Sequence, residues 1–154
     1  MDSSEQYTWR ESHPPQLCTR QELVDLIFDV GEEREYNYHT ILLAVMLADV
    51  GRAEYSIELA YTSLLLASKW YEYEDRMTTR EALVACDNYY PVQLEWEMIG
   101  LLPLTTPLEL LYRWTGCQLA PQEVYRLASI PALGLLDPRA VLVGVLLLQQ
   151  RGHL

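Results

Sequence analysis

Lysine is nearly missing from this sequence: a single residue, Lys69, stands against ten arginines. All basic residues together number 11 against 22 acidic ones, a formal net charge of −11. That imbalance argues against nucleic acid as a main partner, because affinity for phosphates rests on Lys and Arg. Cysteine is scarce as well. Cys18, Cys86 and Cys117 form an odd set without a CxxC pair. Such a set fits neither a disulfide framework nor a zinc site, and it points to a reducing, intracellular compartment. The longest apolar run, Ala140 to Leu148, covers nine residues, whereas a membrane span needs about 20. The opening MDSSEQYTWRESHPPQ has no apolar core and no basic start, so no signal peptide is expected. A soluble chain with no membrane partner follows.

Catalytic patterns are absent too. His13, His39 and His153 fall in the N-terminal arm, at a helix start and at the C-terminus, without HExxH or other ligand spacing. There is no GxSxG, no Gly-rich phosphate loop and no Cys–His arrangement. The chain is therefore expected not to be an enzyme, with no metal, cofactor or small-molecule substrate. Carboxylates are plentiful, but most lie in runs such as Asp29 to Glu35 and Glu72, Glu74, Asp75, which suit solvated helix ends. Residues 1–77 carry 15 acidic and 6 basic groups against 7 and 5 in the remainder. The acidic half could face a basic partner or serve solubility alone.

What is present is helical periodicity. Residues 1–17 are polar and end on Pro14–Pro15, as a flexible arm would. Thr19 and Glu22 form a T-x-x-E capping box, followed by Leu23, Leu26, Ile27 and Val30 at i, i+3, i+4, i+7. That helix should end near Glu35, and a second should run from Tyr38 to Val50, with Gly51 after it. The third, Glu54 to Tyr73, is apolar around most of its circumference, so it is either central or shows a face to a partner. Further starts are marked by the boxes Thr78–Glu81 and Thr106–Glu109 and by Pro91, Pro107, Pro121 and Pro138; Asp137 is a good N-cap. Pro103, Gly116 and Gly152 mark ends. No segment alternates with period two, so the pattern predicts an all-α fold of about eight short helices.

Two charges break that pattern. Lys69 sits late in the apolar third helix, one turn after Leu65 and Leu66. It fits the polar element of an apolar binding patch, and equally a snorkelling lysine paired with Glu72. Glu95 lies among Val92, Ile99 and Leu102, a stripe at helical spacing, while Glu97 falls off it. A carboxylate inside such a stripe must find a partner or mark where the stripe leaves the core. Lys69 is a candidate mate.

At these residues the chain resembles the cyclin box. LLLASKW (64–70) with Glu72 is similar to the family's third-helix signature, and VQLEWEMIGLLPLTTP (92–107) to its fifth. Glu95 takes the place of the family's glutamate, with Met98, Ile99 and Leu102 on its aliphatics. TRQELVDLIFDVGEERE (19–35) resembles the first helix, with Arg20 and Asp25 on a recurrent structural Arg and Asp, and YHTILLAVMLADV (38–50) the second. The resemblance implies a five-helix bundle around the third helix over residues 18–115. Residues 116–154 would be a shortened C-terminal extension, a remnant of the second cyclin repeat. It also implies a partner, a cyclin-dependent protein kinase, held through the third and fifth helices and shifted toward its active state. Lys69 and Glu95 would bond the kinase backbone, with Leu65, Leu66, Trp70 and Glu72 around them. The chain would then act in cell division, in the nucleus, the cytoplasm or both.

Some positions depart from the family. Its substrate-docking groove starts on a Met-Arg-Ala-Ile-Leu run with a Trp three residues after the Leu. Here Thr19 replaces the Met and Leu26 the Trp, leaving Arg20, Leu23 and Leu26 as a weakened groove. A non-activating adaptor or decoy with the same fold is thus the alternative to an activator.

Overall fold

The computed structural model describes residues 14–51, 54–86 and 92–152. Along them run α1 (Arg20–Glu33), α2 (Tyr38–Val50), α3 (Ile57–Tyr71), α4 (Thr79–Ala85), α5 (Val92–Ile99), α6 (Pro107–Thr115), α7 (Pro121–Ala128), a 3-10 turn (Leu133–Leu135) and α8 (Pro138–Gln150). The fold is all-α. Outside these elements the described residues contain one isolated antiparallel bridge, Leu17 to Ser56.

Most helix starts obey their caps. Thr19 and Thr78 each accept from the backbone N–H three residues on, while Glu22 and Glu81 reach back to the cap N–H. The third box is half made: Thr106 accepts from Glu109 N–H, but the Glu109 carboxylate turns to Arg113 one turn later. Asp137 caps α8 by accepting from Arg139 N–H, and Pro107, Pro121 and Pro138 open their helices. Gly116 closes α6 in the left-handed region at φ 70°, where a side chain would be strained. Two helices are shorter than the periodicity implied, α3 at both ends, stopping at Tyr71, and α5 at its C-terminus. α3 begins at Ile57, because Ser56 is extended and its hydroxyl accepts from Leu59 N–H. α5 ends at Ile99, short of Pro103. Pro91 and residues 1–13 lie outside the described residues. The end of the arm is pinned: Gln16 N–H donates to the Glu58 carboxylate, and Ile57 N–H to Gln16 C=O.

The centre of the bundle is α2 together with α3, not α3 alone. Every residue of α2 from Thr40 to Asp49 is buried. α2 packs against α1, α3, α6, α7 and the 3-10 turn, whereas α3 packs against α1, α2, α4 and α5. Each fully buried Leu or Ile there contributes about 1.5–3 kcal/mol relative to exposure, which is why a helix apolar all round moves inward. The C-terminal segment shares this core through Val124, Leu127, Leu133, Leu142 and Val145. Its approach is close: a Cβ on Gly134 would stand 2.3 Å from the carbonyl oxygen of Met46.

Two carboxylates lie inside this apolar frame: Glu58, which holds Gln16 N–H, and Asp49. The Asp49 side chain is fully buried near the C-terminal end of α2, the end of a helix least favourable to an anion. Four donors compensate. Arg20 forks onto it through Nε (2.9 Å) and Nη2 (2.8 Å), the Tyr55 hydroxyl donates at 2.7 Å, and Gly134 N–H donates at 3.0 Å. Arg20 therefore pairs with Asp49 and not with Asp25, a partner 29 residues away that no local spacing reveals. Removing one member leaves a buried charge uncompensated. Arg20→Ala is expected to lower stability by about 3–5 kcal/mol, read from the midpoint of urea unfolding. An unchanged midpoint would show that the Asp49 cluster does not hold the bundle.

Candidate functional site

The two misplaced charges meet. Lys69 Nζ lies 3.3 Å from Glu95 Oε1, with the lysine side chain 45% exposed and the glutamate 14%. The pair spans α3 and α5, which pack on each other, and both ends have local causes. Lys69 occupies the last turn of α3, where a cation meets the negative end of the helix dipole. Glu95 lies in the first turn of α5, where an anion meets the positive end. An ammonium has three donors and a carboxylate about four lone-pair sites, so one bond between them leaves capacity on both for another chain.

The end of α3 is held firmly. The Ser68 hydroxyl donates to Leu65 C=O and accepts from Met77 N–H, fastening the returning chain to the helix. Glu72 does not pair with Lys69. Its carboxylate accepts from Asn37 N–H (3.2 Å) and from the Thr40 hydroxyl (2.9 Å), tying the end of α3 to the start of α2. Glu72 thus positions the site and is only half-buried itself.

Other expected neighbours fall elsewhere. Leu65 and Leu66 are fully buried and belong to the core, because α3 emerges from the bundle only in its final turn. Trp70, next to Lys69 in sequence, is half-exposed. On α5 the core-facing ridge is Leu94 and Met98, so the stripe is rotated by one residue from the one read through Ile99. Ile99 is therefore half-exposed and Trp96 is 73% exposed, which leaves two large apolar groups open to solvent just after Glu95 in sequence. Trp96 was not anticipated. Its signal was available, an aromatic next to the anomalous glutamate.

The groove positions are not open. Leu23 is fully buried, Arg20 is committed to Asp49, and Leu26 lines only a dent of about 120 Å³ with Ile27, Val30, Ala60, Tyr61 and Leu64. Asp25 accepts from the Tyr125 hydroxyl (2.7 Å) and Gln21 Nε2 (3.1 Å), a surface link between α1 and α7. Among the described residues, no group of three or more His, Cys, Asp or Glu could hold a metal ion, and no helix is long and apolar enough to cross a membrane. No protein-family model matches the chain, and no curated protein or solved structure matches it significantly.

His39 lies next to the anchor of α3. Its ring sits 5.8 Å from that of Tyr71 and 6.0 Å from that of Tyr112, with Nδ1 buried and without a hydrogen-bond partner. Burial lowers the His39 pKa, and the nearby Glu109 opposes this only in part. Burial and Glu109 both push the Tyr71 hydroxyl upward. Between the lowered pKa and the ordinary value of 6.5, the unfolded chain binds a proton that the folded chain refuses. Stability should therefore fall as pH drops through 6.5 and level off below the folded pKa. Melting temperatures measured from about pH 7.5 to about 5.5 should show this decline, and His39→Gln should flatten it. Equal slopes in both chains would exclude His39 as the cause.

Proposed function

We propose that this chain is a cyclin-like regulatory subunit that binds a cyclin-dependent protein kinase through the ends of α3 and α5 and shifts it toward its active state. The observation that carries this is the surface ion pair Lys69–Glu95, formed between residues 26 apart in sequence and bordered by exposed Trp70 and Trp96. Residues of these types, on these two helices, are what the cyclin resemblance requires. An all-α bundle with α3 at its centre beside α2 is compatible with it. The contact surface comprises Lys69, Glu95, Trp70, Trp96 and Ile99; Leu65 and Leu66 support it from beneath, and Glu72 sets the position of Lys69. The chain would perform no chemistry itself and would act where its kinase acts, in the nucleus or cytoplasm. The driving force would be its higher affinity for one kinase state than for the other.

A non-activating adaptor or decoy is the second reading, favoured by the burial of Leu23 and the closed surface at Leu26. Such a chain would hold the kinase without delivering substrates. Measuring phosphorylation by the purified complex separates the two, since a decoy binds with no gain in activity.

Binding is tested with a panel of cyclin-dependent kinases and purified chain. Lys69→Ala and Glu95→Ala should each weaken the complex by about 2–5 kcal/mol, the cost of truncating one partner of a buried charged hydrogen bond. Lys69→Arg should weaken it too, because a planar guanidinium cannot place its donors as a compact ammonium does. Absence of wild-type binding, or equal binding by the double alanine variant, would remove the proposal.

A further inference from the structure

The outer face of α8 is apolar and uncovered. Val143 is 54% exposed, Leu147 48% and Leu148 42%, while Leu142 and Val145 face the core. Leu148 also borders an apolar groove with Leu119, Leu127 and Ile130. Any apolar partner could lie on such a face, but its pattern selects one. Asp137 and Arg151 cap the two ends of the helix, and both are exposed. Gly144 stands seven residues from each, so all three lie on one side of the helix. A Cβ on Gly144 would meet nothing within 4 Å, so the glycine is not explained by packing inside the chain.

We propose that this face pairs with its own copy, α8 against α8 in antiparallel fashion about a two-fold axis at Gly144. Turning the helix round places Asp137 opposite the second copy's Arg151, and Arg151 opposite its Asp137, two ion pairs from one patch. A rise of about 1.5 Å per residue separates these ends by roughly 21 Å, so both pairs form in the same register. That register also sets Leu148 against Ala140, large against small, and Leu147 against Val141. The glycine falls at the crossing, where two backbones come closest and a side chain would hold them apart. A residue meeting its mate in both directions is the signature of an isologous contact.

The charge distribution points the same way. Residues 116–152 carry 2 acidic and 3 basic groups, whereas the preceding 115 residues carry 20 and 8. Two copies of an acidic chain meet with least repulsion on the surface that holds none of the excess. This contact uses neither Lys69 nor Glu95 and is independent of kinase binding. A single helix pair lies at the small end of specific interfaces, so the dimer dissociates on dilution.

Sedimentation equilibrium of the full chain, from about 1 µM to about 300 µM, should show a monomer–dimer equilibrium. Gly144→Leu and Arg151→Asp should each weaken it roughly tenfold or more, the second by setting acid against acid. Adding Asp137→Arg to Arg151→Asp should restore association to within about threefold. Only an antiparallel pair gives this rescue, since a parallel pair sets each residue opposite its own copy. Circular dichroism checks that the variants keep wild-type helix content, and exposed Arg151 reports association even if Gly144→Leu disturbs the helix. A wild-type monomer throughout would overturn the proposal, and so would a dimer indifferent to Arg151→Asp.

Discussion

The bundle closes on the carboxylate of Asp49. Its four donors come from three places: the first residue of α1, the link that leads into α3, and the 3-10 turn before α8. A buried carboxylate costs several kcal/mol to desolvate, and each hydrogen bond to a charge returns about 1.5–3 kcal/mol. Desolvation therefore offsets part of what the donors return. What the cluster supplies is a single arrangement, since an apolar residue at this position would let those three segments slide. Gly134 belongs to this constraint, because the turn can deliver its N–H only where its backbone almost touches that of α2.

Fixing α2 in turn fixes the end of α3. Thr40 and Asn37, at the start of α2, hold Glu72, and Ser68 holds the chain that returns from α3. Lys69 and Trp70 are thereby presented from a braced turn, although they lie outside the buried part of the helix. The other half of the site depends on α5, a two-turn helix whose placement rests on Leu94 and Met98. Precise pairing of Lys69 with Glu95 thus requires the core on both sides, with no contribution from the groove region near Leu26.

Helix positions were legible in the sequence, because Thr-x-x-Glu boxes, prolines and glycines act locally and the structure uses them locally. Which face each helix buries was less legible. On α5, eight residues contain too few turns to distinguish a stripe through Ile99 from one through Met98, and neighbouring helices decide between them. Arg20 shows a second limit. Its local candidate, Asp25, is engaged by Tyr125 and Gln21, whereas its actual mate lies on the next helix. A clue did exist: Asp49 is the only charge between Ile41 and Val50, and an isolated charge in a run destined for burial must have a distant partner. The same rule, applied to Lys69 and Glu95, joined two charges that do meet.

The two ion pairs also explain why arginine at one site and lysine at the other are not interchangeable. Arg20 uses the fork of its guanidinium, two N–H groups on two oxygens of one carboxylate, inside the protein. Lys69 makes one contact of 3.3 Å at a surface where solvent screens it, a pair worth about 0–1 kcal/mol to stability. Stability therefore does not account for placing the sole lysine there. An ammonium with donors to spare, on a flexible stem beside two exposed tryptophans, is suited to carbonyl oxygens of another chain. A guanidinium at Lys69 would bind Glu95 more completely and leave less of either group for a partner. The weakness of this pair within the chain is what the proposed interface would draw on.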